Sequence, residues 1–222
     1  MEKISFRQLF RDYLDGKLKF EKYQKICVFL LLVVLSGFIG WMWEFFLDET
    51  REGFSRLIIE GGNFLPWINL YAYGALLVIP ATRKIRHRPL AVFSVSAVVT
   101  GILELISGIL VFYVGGGTRY WDYTNVWWGV GHINGFVCPA SAVAFGIGSM
   151  ALVYLLYPFC LYVAKILKKR TLLVLSISLF SIIVVDDLSN LALKHLGLPN
   201  SADFYLSAGW EYREDRIDNS KN

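Results

Sequence analysis

The chain has 222 residues, 55% of them hydrophobic, with a net charge of +4 and a mean hydropathy of +0.49. That is too apolar for an ordinary soluble domain, and the length suits one bundle, not two domains. The basic residues flank apolar blocks, which assigns the positive balance to a membrane surface and speaks against nucleic acid as a partner.

In chain order, residues 3–25 mix charge with Phe6, Leu9, Phe10, Tyr13 and Leu14. Those apolar positions recur every three to four residues, the pattern of an amphipathic helix. Two placements fit it: an interfacial helix on the membrane surface, or a helix packed on the end of the bundle. Five apolar blocks follow, at about Ile26 to Leu47, Phe64 to Ala81, Leu90 to Val114, Phe136 to Ile166 and Leu172 to Leu193. Blocks of this length match the roughly 20 residues a helix needs to cross a bilayer. The expected fold is all-α, a polytopic membrane helix bundle of about five transmembrane helices with an N-terminal amphipathic interfacial helix. The first block lacks a cleavage pattern, so it is expected to remain as an uncleaved anchor.

Basic residues cluster in three places: Lys3 to Lys25, Arg83 to Arg88, and Lys165 to Arg170. Five alternating spans put all three on one side, which the positive-inside rule makes cytoplasmic. The expected organisation is a cytoplasmic segment 1–25, a bundle 26–196 and a polar, loosely ordered extracytoplasmic tail 197–222 of a cell-membrane protein. The intervening outer loops carry few cations: Asp48, Glu49, Glu52 and Glu60 offset Arg51 and Arg56 in one, and the other holds Arg119 and Asp122. Cys27, Cys138 and Cys160 sit in or beside apolar blocks without metal-ligand spacing, and read as buried apolar side chains.

Ionisable groups inside a membrane are costly and mark candidate sites. Glu44, Glu104 and the pair Asp186 and Asp187 lie in the first, third and fifth blocks. From the cytoplasmic ends, Glu104 and Asp186 come out about 20 Å deep and Glu44 about 27 Å. Gly37, Gly40 and Glu44 share one helical face, as do Gly101, Glu104 and Gly108. Small residues mark faces of close helix approach, so both glutamates are expected to face inward. Asp186 and Asp187 point about 100° apart. Ser178 and Ser189 fall on the side of Asp186 and Ser176 on that of Asp187, and the pattern does not choose the inward acid.

The second block opens Gly61-Gly62-Asn63-Phe64-Leu65-Pro66, a helix start, with Asn69 and Tyr71 early in the span. The loop before the fourth block begins with the triple glycine Gly115 to Gly117 and carries Trp121, Asp122, Tyr123, Trp127, Trp128, His132 and Asn134. Two readings stand: an aromatic belt at the interface, or a segment folded back with Asp122, His132 and Asn134 facing a wet cavity. The candidate binding residues are therefore Glu44, Tyr71, Glu104, Asp122, His132, Asn134 and Asp186. No cofactor and no metal site is expected.

Several stretches taken together resemble a known family: Gly40-Trp41-Met42-Trp43-Glu44, the run from Pro66 to Leu77, and Trp121-Asp122-Tyr123 with Gly131-His132-Ile133-Asn134-Gly135. They are similar to the CmpB-like membrane proteins of the family named Putative ABC-transporter type IV, over roughly residues 37–150. The resemblance implies a polytopic membrane protein of transport type, with no substrate or catalytic residue attached. The phosphate loop G-x-x-x-x-G-K-[ST] of an ATP-driven motor is absent from the sequence. On that reading the chain is a permease, with any ATPase on another chain.

Three functions stay open. A permease or channel uses inward acids to bind a cation or basic solute, and five spans then imply a homo-oligomer or partner membrane subunit. An outer-leaflet enzyme takes Glu104, Asp122 and His132 as acid–base groups, without a metalloprotease or serine-hydrolase motif. A structural or assembly protein uses its acids, paired with Arg119 or hydroxyls, to fix helix register.

Overall fold

The computed structural model describes residues 5–51, 57, 59, 61–114, 117, 119–124 and 126–211, with only the backbone at 48–51. The side chains of Asp48, Glu49 and Arg51, residues Glu52, Arg56 and Glu60, Gly115 and Gly116, and the tail beyond Glu211 lie outside the described residues. Helices follow in the order α1 (Phe6–Leu14), α2 (Lys22–Arg51), α3 (Asn69–Thr82), α4 (Pro89–Val114), α5 (Pro139–Ala151), a π-helical turn (Leu152–Leu156), α6 (Tyr157–Ile166), α7 (Lys169–His195) and α8 (Ser201–Ser207). Among the described residues there is no strand, only an isolated bridge between Ile133 and Val137. The all-α fold expected from the apolar blocks is the observed one.

Four helical stretches are long and apolar enough to cross a membrane: Lys22–Leu47, Pro89–Val114, Pro139–Ile166 and Lys169–His195. These are the first, third, fourth and fifth apolar blocks, with ends shifted by at most a few residues. The second block is different. Its first residues, 61–68, are not helical, and α3 has 14 residues. At 1.5 Å per residue α3 is about 21 Å long, short of a hydrocarbon core of about 30 Å. Hydropathy alone does not reveal that the first part of an apolar block runs as irregular chain.

The stretch Pro139–Ile166 is long because a π-helical turn interrupts it. Pro158 follows that turn and has no N–H to return to the carbonyl of Tyr154. Widening the helix just before the proline removes the clash of its ring with that carbonyl.

The chain divides into two compact units, residues 5–75 with 154–211 and residues 76–153 of the described chain. In the first unit α2 packs on α7 and α6, and α1 on α6. The apolar face of α1 turns to α6: Leu9 and Tyr13 are buried, the Phe6 ring meets Tyr162 edge-on at 5.5 Å, and the Tyr13 ring meets Tyr157 at 5.7 Å. The amphipathic helix therefore shields part of its apolar stripe against protein, while Phe6 remains partly exposed. At the same end Lys165 Nζ donates to the Lys19 carbonyl at 2.7 Å, and Lys169 lies over the Tyr23 ring. Two of the three basic clusters thus share one end of this unit.

In the second unit α4 packs on α5. The buried residues of α4 are Val92, Ser96, Thr100, Glu104 and Gly108, a stripe with a four-residue period. Gly146 of α5 receives Phe93 and Ala97 at close range, so small residues set the approach of this pair.

One expectation is corrected. The tail after Gly197 is not loosely ordered as far as Glu211: it forms α8, and both it and the following turn pack within the first unit. Asn200 and Asp203 close α8 with a reciprocal capping box. Tyr205 donates to the Phe64 carbonyl at 2.6 Å, and the Trp210 ring lies 5.9 Å from that of Phe45. A polar composition concealed three aromatic contacts, at Phe204, Tyr205 and Trp210.

Candidate functional site

In the first unit, the glycine face of α2 is covered by the chain that enters α3. Gly37 lies under the indole of Trp67 and Gly40 under the ring of Tyr71, so closely that a Cβ at either position collides with the ring. Trp67 Nε1 donates to the Val34 carbonyl at 2.9 Å, and the Ile68 N–H to the Gly37 carbonyl at 3.1 Å. One turn further along α2, the phenol of Tyr71 makes a short hydrogen bond to Glu44 Oε1. The expected inward face is real, and it is occupied by two aromatic rings. Glu44 and Tyr71, two of the candidate residues, meet there, both half-buried.

Asp186 settles the question of the inward acid. It is buried, and its two oxygens accept the Phe64 N–H at 3.1 Å and the Leu65 N–H at 2.8 Å. Asp187 is half-buried and accepts the Asn63 side-chain amide at 2.7 Å. Ser176 is buried along with Asp186, while Ser178 and Ser189 are exposed, against the angular count that grouped those two with Asp186. Non-helical backbone in an apolar setting needs partners for its N–H groups. Asp186 supplies two of them with charge-assisted bonds, roughly twice as strong as neutral ones.

The second unit repeats the device. Glu104 is 2% exposed; its Oε1 accepts the Tyr123 phenol at 2.6 Å and its Oε2 the Ser141 hydroxyl at 2.8 Å. Ser141 stands at the third position of α5, in a capping box with Cys138, and Pro139 opens the helix. The carboxylate thus sits at the positive end of the α5 dipole. Gly108, one turn along α4, lies against the Phe136 ring.

Between them the loop 119–138 folds back on α4. Trp121 Nε1 donates to the Phe136 carbonyl at 2.8 Å, and Trp128 packs on Tyr123 at 5.1 Å. Arg119 donates to the Asn134 carbonyl at 2.7 Å, lies 3.4 Å from Asp122, and stacks over Phe112 and Phe136. Asn134 takes a left-handed backbone, φ 49°, a conformation asparagine tolerates better than most residues. His132 is exposed, and its Nδ1 accepts the Gly135 N–H at 3.2 Å. Asp122 is half-buried, caps Thr124 N at 2.9 Å, and belongs with His132 and Asn134 to the loop's own scaffold. Of the loop aromatics, Trp121, Tyr123 and Trp128 turn inward and Trp127 is 89% exposed, so the belt and the folded-back readings each describe part of it.

Sequence reasoning passed over Trp67, Tyr123 and Ser141 as partners of the two faces, and over Tyr205. The start of α5 was legible as Pro139 followed two residues later by Ser141; the others needed the fold. Among the described residues no three His, Cys, Asp or Glu side chains gather into a metal-holding group.

Long apolar helices in both units, with irregular segments bonded to their acids, define a multi-pass helical membrane protein. The chain belongs to the family Putative ABC-transporter type IV, whose model matches residues 30–190. It is thus a membrane protein of a transport-related family. Comparison with curated proteins and with solved structures finds no match.

Proposed function

We propose that the chain is a permease-like membrane protein that passes a small solute or a cation through polar groups in the outer half of its helices. The observation that carries this reading is the broken second apolar block: irregular chain 61–68, then the short helix α3, with the Glu44–Tyr71 pair at its first turn. Interrupted apolar segments that expose helix ends are where transporters place their binding sites. Glu44 and Tyr71 are half-buried and take the role of solute contacts. Asp186 shapes the site by holding the segment above it. In the other unit, Asp122, His132 and Asn134 lie at or near the loop surface and offer polar contacts to an entering solute, while Glu104 holds that loop.

The orientation follows the basic clusters, with the N-terminus cytoplasmic and the C-terminus extracytoplasmic. Any ATP-driven version requires a second chain for the motor, and a homo-oligomer or a partner membrane subunit completes the pathway in the bilayer. The test is flux into proteoliposomes of purified protein loaded with proton-, sodium- or potassium-sensitive dyes. Flux above that of empty vesicles, lowered roughly ten-fold or more in Glu44→Gln, a rise of about 1.4 kcal/mol in the transport barrier, supports the reading. Flux equal to empty vesicles for every cation, or unchanged in the variant, overturns its cation form.

A second reading, a structural or assembly role, draws support from Glu104, both of whose oxygens accept internal hydroxyls. Under it, Glu104→Gln lowers the yield of folded protein and leaves the flux per folded molecule unaltered.

A further inference from the structure

The irregular segment that precedes α3 is held by α2, by α7 and by the C-terminal stretch, and the last two differ in chemistry. Towards α7 it presents donors: the N–H groups of Phe64 and Leu65 go to Asp186 and the Asn63 amide goes to Asp187, while the Ile68 N–H goes to the Gly37 carbonyl of α2. Its carbonyls face the C-terminal stretch, and that of Gly62 also accepts the Asn190 side-chain amide of α7. Ser201 Oγ donates to the Gly62 carbonyl at 2.9 Å, Tyr205 to the Phe64 carbonyl at 2.6 Å, and the Glu211 N–H to the Leu57 carbonyl at 2.8 Å. The Ile59 N–H returns to the Glu211 carbonyl at 2.9 Å, and the Phe204 ring covers that of Phe64 at 6.0 Å.

We infer that residues 198–211 are a strap that closes over segment 61–68, and that it must release before the polar groups beneath that segment meet solute. The strap is the weaker grip: its bonds are neutral, whereas those to the aspartates are charge-assisted and stronger. Its helix is also flanked by two glycines with positive φ, Gly197 at 67° before α8 and Gly209 at 85° after it, each in open space. Only glycine turns freely through that region, so the helix of the strap has a pivot on either side. Its one helix, α8, is seven residues long and packs Phe204 and Tyr205 on the segment, while Phe204 and Leu206 stay largely exposed. The release step deepens the permease reading and rests on it for its purpose; the opening itself is measurable without transport.

A cysteine on α2, next in the chain to the glycine that the segment covers, reports the opening. Ser36 of α2 is 6% exposed, its hydroxyl has no hydrogen-bond partner, and it adjoins Gly37, over which Trp67 lies. The native cysteines Cys27, Cys138 and Cys160 are buried, which keeps the background low. Ser36→Cys in proteoliposomes should react slowly with a membrane-impermeant maleimide. Adding Ser201→Ala and Tyr205→Phe removes two strap bonds, and the labelling rate should rise roughly five- to thirty-fold. An unchanged rate overturns the strap. Should the triple variant fail to fold, hydrogen exchange on the unmodified protein decides. Amides of α8 that open at least as readily as Phe64 and Leu65 support release of the strap first; amides of α8 that open only after them contradict it. Neither readout involves solute, so a strap that opens in a protein that transports nothing would fault the permease reading alone.

Discussion

Tyr123 reaches back along the chain to donate its phenol hydrogen to Glu104, at 2.6 Å. The bond fastens the loop between α4 and α5 to the middle of α4, and Ser141 fastens the start of α5 to the same carboxylate at 2.8 Å. Asp186 does the equivalent for the segment before α3. In each unit a buried acid on a long helix gathers chain that has left helical geometry. Such chain is tolerated at membrane depth only when its polar groups find protein partners.

The Glu104 cluster should behave as one unit. Tyr123→Phe and Ser141→Ala each remove a bond to a charged group and should cost about 1.5–3 kcal/mol. The double variant should depart from additivity by about 0.5–3 kcal/mol, because both side chains share one carboxylate. Thermal unfolding of the purified protein in detergent, run as a double-mutant cycle, measures this; strict additivity would show that the two hydroxyls act independently.

Gly40→Ala should destabilise by about 1–3 kcal/mol, since a methyl group there overlaps the ring of Tyr71 and overpacking has that scale. Gly62→Ala is the control, as a Cβ at Gly62 meets nothing within 4 Å. A drop in melting temperature confined to the first variant supports the packing described. Gly40→Ala should also loosen the Tyr71–Glu44 bond and so reduce whatever flux Glu44 supports.

Tyr205, outside the spans, is held above the usual tyrosine range, first by burial and then by the nearby charge of Asp186. A raised folded-state value favours the neutral phenol in the closed strap. Its contribution is complete below the ordinary tyrosine value of about 10 and is lost as pH rises through the higher folded value. A tyrosinate absorbance titration of wild type minus Tyr205→Phe should therefore show one ionisation above the ordinary range. An ionisation at the ordinary value would place the phenol in water.

Much of this fold was legible because membrane spans write themselves as long apolar blocks, and four of the five blocks became helices of spanning length. The glycine-plus-glutamate spacing located the buried faces of α2 and α4 correctly, since helical angle depends on numbering alone. It did not reveal what covers them: on α2, Trp67 and Tyr71 arrive from 27 to 31 residues away in the chain. The break at 61–68 was hidden because Phe64, Leu65, Pro66 and Trp67 are as apolar as a helix would be. The order of the tail was hidden for the opposite reason, its few aromatics being diluted by charge. A wet cavity for Asp122, His132 and Asn134 was one of two readings their polarity left open; the fold gives each of them a place in the hydrogen bonding of its own loop.

The most direct test of the claim that the acids of the long helices secure the irregular segments is hydrogen exchange at Phe64 and Leu65 in Asp186→Ala. Loss of two charge-assisted bonds should speed exchange of those two amides by about ten-fold or more, while Asp187→Ala, which removes a partner of the Asn63 and Asn69 side chains but no bond to either amide, should leave them nearly as protected as in wild type. Wild-type exchange rates at Phe64 and Leu65 in Asp186→Ala would contradict the account.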